Sequence, residues 1–208
     1  VYQVSHKNMS LFIKFFGSNN PASEEEKDKE NSPYSLENDA PIEEQFIYNF
    51  KKNGGKFLYC ENETEVKDHF ENILEENDWF EGEALCYEPN LYDILEENKI
   101  THLKTTSPSF LLANCENLIA DEGSILFSSK QIKQHKPNEL PTNIIIIATT
   151  SQIIESKSDG LSVIKKKYIK DYPTNITTIK YFKKVVDEDF TQYGSTAKNL
   201  YLLLLEDL

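Results

Sequence analysis

The sequence predicts a single α/β domain, a parallel sheet with helices on its faces, and three observations carry that prediction. Strand-like and helix-like runs alternate from Pro41 onward, which is the order expected of strand–helix–strand units. Four consecutive isoleucines, Ile144 to Ile147, lie between a turn at Pro141-Thr142-Asn143 and a small polar run. So short a β-branched stretch, unbroken by charge, suits a central strand covered on both sides. The last apolar run, Tyr201 to Leu205, needs a place in the same sheet to bury its side chains.

Taken in order, residues 1–17 form an arm: residues 1–8 have no pattern, and Met9 to Phe16 is apolar enough to dock as a short helix. Residues 18–40 are rich in Glu, Lys, Asn and Ser and too poor in apolar groups to offset ordering entropy, so a loosely held linker is expected. The folded domain then spans 41–208. Pro41 and the acids Glu43 and Glu44 open a helix whose inner stripe is Ile42, Phe46, Ile47 and Phe50, ended by Gly54-Gly55. A strand follows over 56–60, then a helix over 65–76, capped by Asn62 or Thr64, with Val66, Phe70, Ile73 and Leu74 inward. A strand over 84–87 and a short helix over 90–97 complete the first half.

Residues 110–113, 117–120 and 124–127 read as three short strands, the last two joined by the acidic turn Asp121-Glu122-Gly123-Ser124. Residues 128–139 read as a polar loop. After the isoleucine strand and a short capped turn, Asp159 opens a helix to Lys170 with Leu161, Ile164, Tyr168 and Ile169 buried, and Tyr172-Pro173 stops it. Residues 176–182 form another strand.

With 35 acidic against 22 basic side chains, the formal charge is −13, a surface that repels nucleic acid phosphate and anionic lipid. Cys60, Cys86 and Cys115 each lie in or beside an apolar run, as reduced buried thiols do, and no Cys-x-x-Cys pair is present to hold a cluster or zinc. The six residues from Leu11 to Phe16 are too short for a signal peptide, and no apolar run reaches the length of a membrane span. A cytoplasmic protein without nucleic acid or membrane partners is the expectation.

Asn117 to Phe127 followed by Leu140 to Ile147 resembles the core of the lactate-utilisation protein C family, the LUD domain. Ala120 matches the alanine of that family's Ala-Glu-Thr-Gly-Thr segment, Asp121 and Glu122 fall in its glutamate and threonine columns, Gly123 pairs with its glycine, and Leu140-Pro141 matches its Leu-Pro. Tyr193-Gly194 through Lys198 and the closing leucines resemble the family's His-Gly-Pro-Arg and last strand. The family's Gly-Pro-Ser and Thr-Ala-Asp-Ile-Glu segments have no counterpart, and Lys180 to Phe190 stands in their place. The resemblance implies an open αβα sandwich similar to the sugar-phosphate isomerase and CoA-transferase fold. It also implies an accessory role beside iron–sulfur lactate-utilisation subunits in oxidising L-lactate to pyruvate, with no cofactor bound by this chain. Two alternatives stand beside it: an interaction protein that keeps the fold without the ligand site, and a CoA-transferase-like or sugar-phosphate enzyme.

The Asp121–Ser124 turn is the first candidate locus: Asp121 and Glu122 as catalytic carboxylates, with Gly123 and Ser124 shaping the ligand contact. The same residues also suit a solvated hairpin turn. Gly194, Ser195 and Thr196 with Lys198 could hold an anion through backbone amides, two hydroxyls and an ammonium, or form an ordinary turn before a strand. Lys130 and Lys133, with His135 and Lys136, could recognise a carboxylate or make a solvated loop. Lys165-Lys166-Lys167 reads as the wet face of a helix. His69 and His102 have no neighbours at metal-ligand spacing, and no metal is expected.

Overall fold

A parallel five-stranded sheet is the centre of the molecule, seen in a computed structural model that describes residues 40–103, 105–182 and 197–207. Its strands are β1 (Lys56–Cys60), β2 (Ala84–Leu85), β3 (Phe110–Ala113), β6 (Asn143–Thr149) and β9 (Asn199–Leu205), in the spatial order β1-β9-β6-β3-β2. The isoleucine strand β6 is the middle one, paired with β3 on one side and β9 on the other. Ile144, Ile145 and Ile146 are fully buried, as expected of a strand covered on both faces, and Ile147 is partly buried at the carboxyl end. The leucine-rich β9 lies between β6 and β1, which is how its apolar residues find cover. The expected arm over 1–17, and the linker up to residue 39, lie outside the described residues.

One face of this sheet is covered by helices that local chemistry starts and stops. Helix α2 (Glu63–Asn77) begins where the Asn62 side chain accepts from the Glu65 amide at 3.1 Å, and ends at Asp78 in a left-handed conformation. Its Val66, Phe70, Ile73 and Leu74 join Ile94 and Leu95 of α3 (Tyr92–Glu97) against Leu112, Ile145, Tyr201 and Leu203. Helix α1 (Ile42–Lys52) begins directly after Pro41 and buries Phe46, Ile47 and Phe50.

The remaining strands form a second, mixed sheet in the order β7-β4-β5-β8. Strands β4 (Asn117–Ile119) and β5 (Ser124–Ser128) are an antiparallel hairpin, flanked by β7 (Ile153–Ile154) and β8 (Ile176–Ile179). Helix α5 (Lys157–Lys167) packs on this second sheet, with Ile164 against Ile119 and Leu126. The architecture is therefore mixed α/β with two sheets; α5 covers the smaller sheet rather than the parallel one.

Several boundaries differ from the sequence reading. The strand over 84–87 is reduced to Ala84–Leu85, and that over 176–182 to Ile176–Ile179. The polar loop over 128–139 contains a short helix, α4 (Ser129–Ile132): Ser128 and Gln131 form a capping box, and Gln131 and Ile132 are buried. Helix α5 starts earlier than Asp159 because Ser156 caps it and Asp159 closes the box from the third position. It ends at Lys167, so Ile169 falls off the helical stripe and is 84% exposed, and Leu161 is exposed as well. No described helix is long and apolar enough to cross a membrane.

The carboxyl end of β9 is locked to the turn after β6. Asp207 accepts from the Thr150 hydroxyl (2.8 Å), the Ser151 amide (2.9 Å) and the Ser151 hydroxyl (2.6 Å). Burial works against the Asp207 charge, but these bonds outweigh it and hold its pKa at about 2. A folded pKa below the unfolded one of about 3.9 means the contribution is whole above that value and disappears as pH falls toward the folded one. Asp207→Asn should therefore be less stable than the parent at pH 5 and converge with it near pH 2 in urea titrations. An equal gap at both pH values would overturn this.

Candidate functional site

A cavity of about 450 Å³ opens at the carboxyl ends of β3 and β6, lined by residues of several elements. Such crevices, outside the carboxyl ends of parallel strands, are where open α/β sheets place ligands. Asn114 and Cys115 continue from β3, and Ile147, Ala148 and Thr149 are the last residues of β6. Glu88 enters after β2, Lys130 and Gln131 from α4, and Lys167 and Tyr168 from the end of α5.

The electrostatic anchor beside this cavity is Glu116, between β3 and β4, with only 4% of its surface exposed. Its Oε1 accepts from the Ser128 hydroxyl (2.6 Å) and Gln131 Nε2 (3.1 Å), and its Oε2 from Lys167 Nζ (3.0 Å). The Tyr168 hydroxyl lies 3.0 and 3.2 Å from the two oxygens. Burial alone would raise the pKa, but the bonds from Ser128, Lys167 and Gln131 outweigh it and hold Glu116 below the usual carboxylate range. The capping residues of α4 thus also fix this carboxylate.

Two ammonium groups converge beside it. Lys167 Nζ is 5.0 Å from the centroid of the Tyr168 ring, and Lys130 Nζ is 5.5 Å from the same centroid. Lys130 also pairs with Asp171, but that pair is largely solvent-exposed, with side chains 38% and 83% accessible, and an incoming anion can displace it. Glu88 is the second carboxyl of the site. It accepts from the Asn114 amide at 2.7 Å and from Asn114 Nδ2 at 3.3 Å.

Of the residues singled out by sequence, Lys130 lines this cavity. Lys133 is exposed next door, its ammonium 5.5 Å from the ring of Tyr87, whose hydroxyl bonds His135 Nε2 at 2.8 Å. Lys198 lies at the other end of the parallel sheet, just before β9, and is 1% exposed. Its ammonium donates to the carbonyls of Leu140 (2.8 Å) and Pro141 (3.2 Å), and burial lowers its pKa. It ties two strand entrances together, away from the cavity. Gly194, Ser195 and Thr196 lie outside the described residues.

The Asp121–Ser124 turn is also elsewhere. It joins β4 to β5, whereas Lys130 follows the opposite end of β5, so the hairpin holds the two apart. The turn is a docking point for α1: Asn49 Nδ2 donates to the Ala120 carbonyl (2.8 Å) and Asn53 Nδ2 to the Glu122 carbonyl (2.7 Å). Gly123, at φ +60°, lies directly against the α1 backbone, and Ser124 is buried with its hydroxyl 3.3 Å from Glu122.

Sequence reasoning missed Glu88, Glu116, Lys167 and Tyr168 as members of one site. For Glu116 a signal was present: it is the one charged residue between Phe110 and Ala120, and a carboxylate amid buried strands needs partners. For Lys167 there was none, because an exposed helical lysine looks the same in sequence whether or not a carboxylate waits beneath it. The three cysteines are buried and unpaired, as expected. Among the described residues, no group of His, Cys, Asp and Glu could hold a metal ion.

The fold has a solved counterpart. The chain is similar to a DUF162 family protein from Deinococcus radiodurans, with a TM-score of 0.57 at 11% identity, over 80% of this chain and 96% of that one. At that identity the likeness shows the fold alone. No family model matches the chain, and no curated protein matches it.

Proposed function

We propose that the cavity binds a small organic anion and that the chain serves as an accessory component of an L-lactate utilisation system. The observation that carries the ligand class is the convergence of Lys130 and Lys167 on Tyr168 at the mouth of a cavity of about 450 Å³. Lactate and pyruvate each carry one carboxylate and a second oxygen. The ammoniums suit the carboxylate, and nearby side-chain amides suit the other oxygen. The lactate pathway is supported by the resemblance of the 117–147 and 193–205 stretches to the LUD domain. The same resemblance supports the finer likeness to the sugar-phosphate isomerase and CoA-transferase fold, iron–sulfur subunits as partners, and a cytoplasmic setting. In this reading the electron carriers belong to the partner subunits and the chain presents or senses the acid.

Calorimetric titration of the full chain with L-lactate and with pyruvate tests the ligand class. Lys130→Gln should weaken binding about tenfold, equivalent to about 1.4 kcal/mol, without changing the unfolding midpoint. Parent-like affinity in this variant, or no binding to the parent, would sink the anion site. Growth on L-lactate of a strain lacking the gene would sink the pathway assignment.

A further inference from the structure

Two carboxyl groups share the cavity region, and their surroundings differ. Glu116 is met by Lys167, Ser128, Gln131 and Tyr168. Glu88 is partly buried, and among the described residues its side-chain carboxyl accepts hydrogen bonds from Asn114 alone, with no ammonium within ion-pair distance of it. Both Asn114 bonds are donated by nitrogen, so a protonated Glu88 keeps them on its bare lone pairs and can direct its hydroxyl elsewhere. An ionised Glu88 would face any anion entering the cavity as a like charge in a partly dehydrated space.

We propose that Glu88 takes up a proton when an anion enters the cavity, so that the site binds a carboxylate and a proton together. This rests on the anion-binding reading above and adds to it a proton stoichiometry. The proton comes from solvent, and no bond of the ligand is made or broken.

The groups around Glu88 are consistent with this role. Lys130, Lys167, Tyr168 and Cys115 line the same cavity, Glu116 lies beside it, and Lys133 acts on Glu88 from the end of α4. On its own segment, Cys86 is buried and Tyr87 is engaged with His135. Burial holds Glu88 above the usual carboxylate range; the Asn114 bonds and Lys133 oppose this, and Glu116 adds to it. A bound anion pushes in the same direction as Glu116. Linkage then requires affinity to rise as pH falls through the Glu88 transition, approaching about tenfold per pH unit for one proton.

Titration of the full chain with pyruvate, which stays ionised throughout, in two buffers of different protonation enthalpy is the test. The parent should take up a fraction of a proton per pyruvate and bind more weakly as pH rises from the ordinary carboxylate range through the Glu88 transition. Glu88→Gln should bind pyruvate with no proton uptake from this group and little pH dependence. Glu88→Asp, which keeps the carboxyl, should retain uptake, and His135→Gln should leave it intact. Binding whose heat is the same in both buffers, or uptake that survives in Glu88→Gln, overturns the proposal while sparing the anion site. Absence of pyruvate binding at every pH overturns both.

Discussion

Replacing Gly123 with alanine is expected to destabilise the protein by about 3–4 kcal/mol, the sum of a left-handed backbone and a forced clash. At φ +60° an added Cβ would lie 2.3 Å from the carbonyl carbon of Asn49 and 2.4 Å from the amide nitrogen of Phe50. These are backbone atoms of α1, so no side-chain rotation relieves the contact, and the hairpin must withdraw from the helix. Withdrawal also stretches the bonds from Asn49 and Asn53 to the turn carbonyls. For a chain of this size the unfolding midpoint should fall by roughly 10 °C. Asp121→Asn, in the same turn but exposed, should stay within about 0.5 kcal/mol of the parent. Thermal unfolding of the two variants decides the role of the glycine. A stable Gly123→Ala protein with weakened ligand binding would return the turn to the list of ligand contacts.

Glu116→Ala should cost about 3 kcal/mol, because several buried or half-buried partners lose their acceptor at once. Ser128, Gln131, Lys167 and Tyr168 all meet this carboxylate, from α4 and its cap on one side and the end of α5 on the other. Lys167 is about half exposed and can turn to water, which keeps the loss below that of stranding a fully buried charge. The variant should also bind small acids differently, since the ammonium nearest Tyr168 is no longer held in place. The folded pKa of Glu116 is lowered, so its contribution is complete above the ordinary carboxylate range and is lost as pH falls through the folded value. Urea titrations at pH 7 and under acid conditions should show the parent and Glu116→Ala approaching one another as pH falls. A loss of less than 1 kcal/mol at pH 7 would mean that the network contributes little.

Both residues show where pattern reading stops. The spacing of Phe46, Ile47 and Phe50 makes α1 legible, because a helix declares its buried stripe locally. Asn49 on that helix and Asn53 just past its end carry no comparable sign that their amides meet a hairpin about 70 residues away. The same limit separated Lys130 from Lys167. One was grouped with a loop and the other with a wet helix face, and only the packing of α4 and α5 brings both ammoniums to Tyr168.

By itself the sequence determined the order of the main strands and helices, the central place of the isoleucine strand and the burial of the leucine-rich end, but neither α4 within the polar 128–139 stretch nor β7 at Ile153–Ile154. Hydrophobic runs of strand length have no stable alternative to pairing and cover. It also determined the hairpin at Asp121–Ser124, since turn chemistry and flanking apolar runs are local signals. Tertiary structure alone decided that this hairpin belongs to a second sheet, that its acids lie at the far end of β5 from Lys130, and that Lys198 is buried on carbonyls at the strand entrances. It also decided that Glu88 and Glu116, of the same side-chain chemistry, meet different surroundings. The reason is physical: burial and partner geometry set the state of a charge, and both arise between segments distant in the chain.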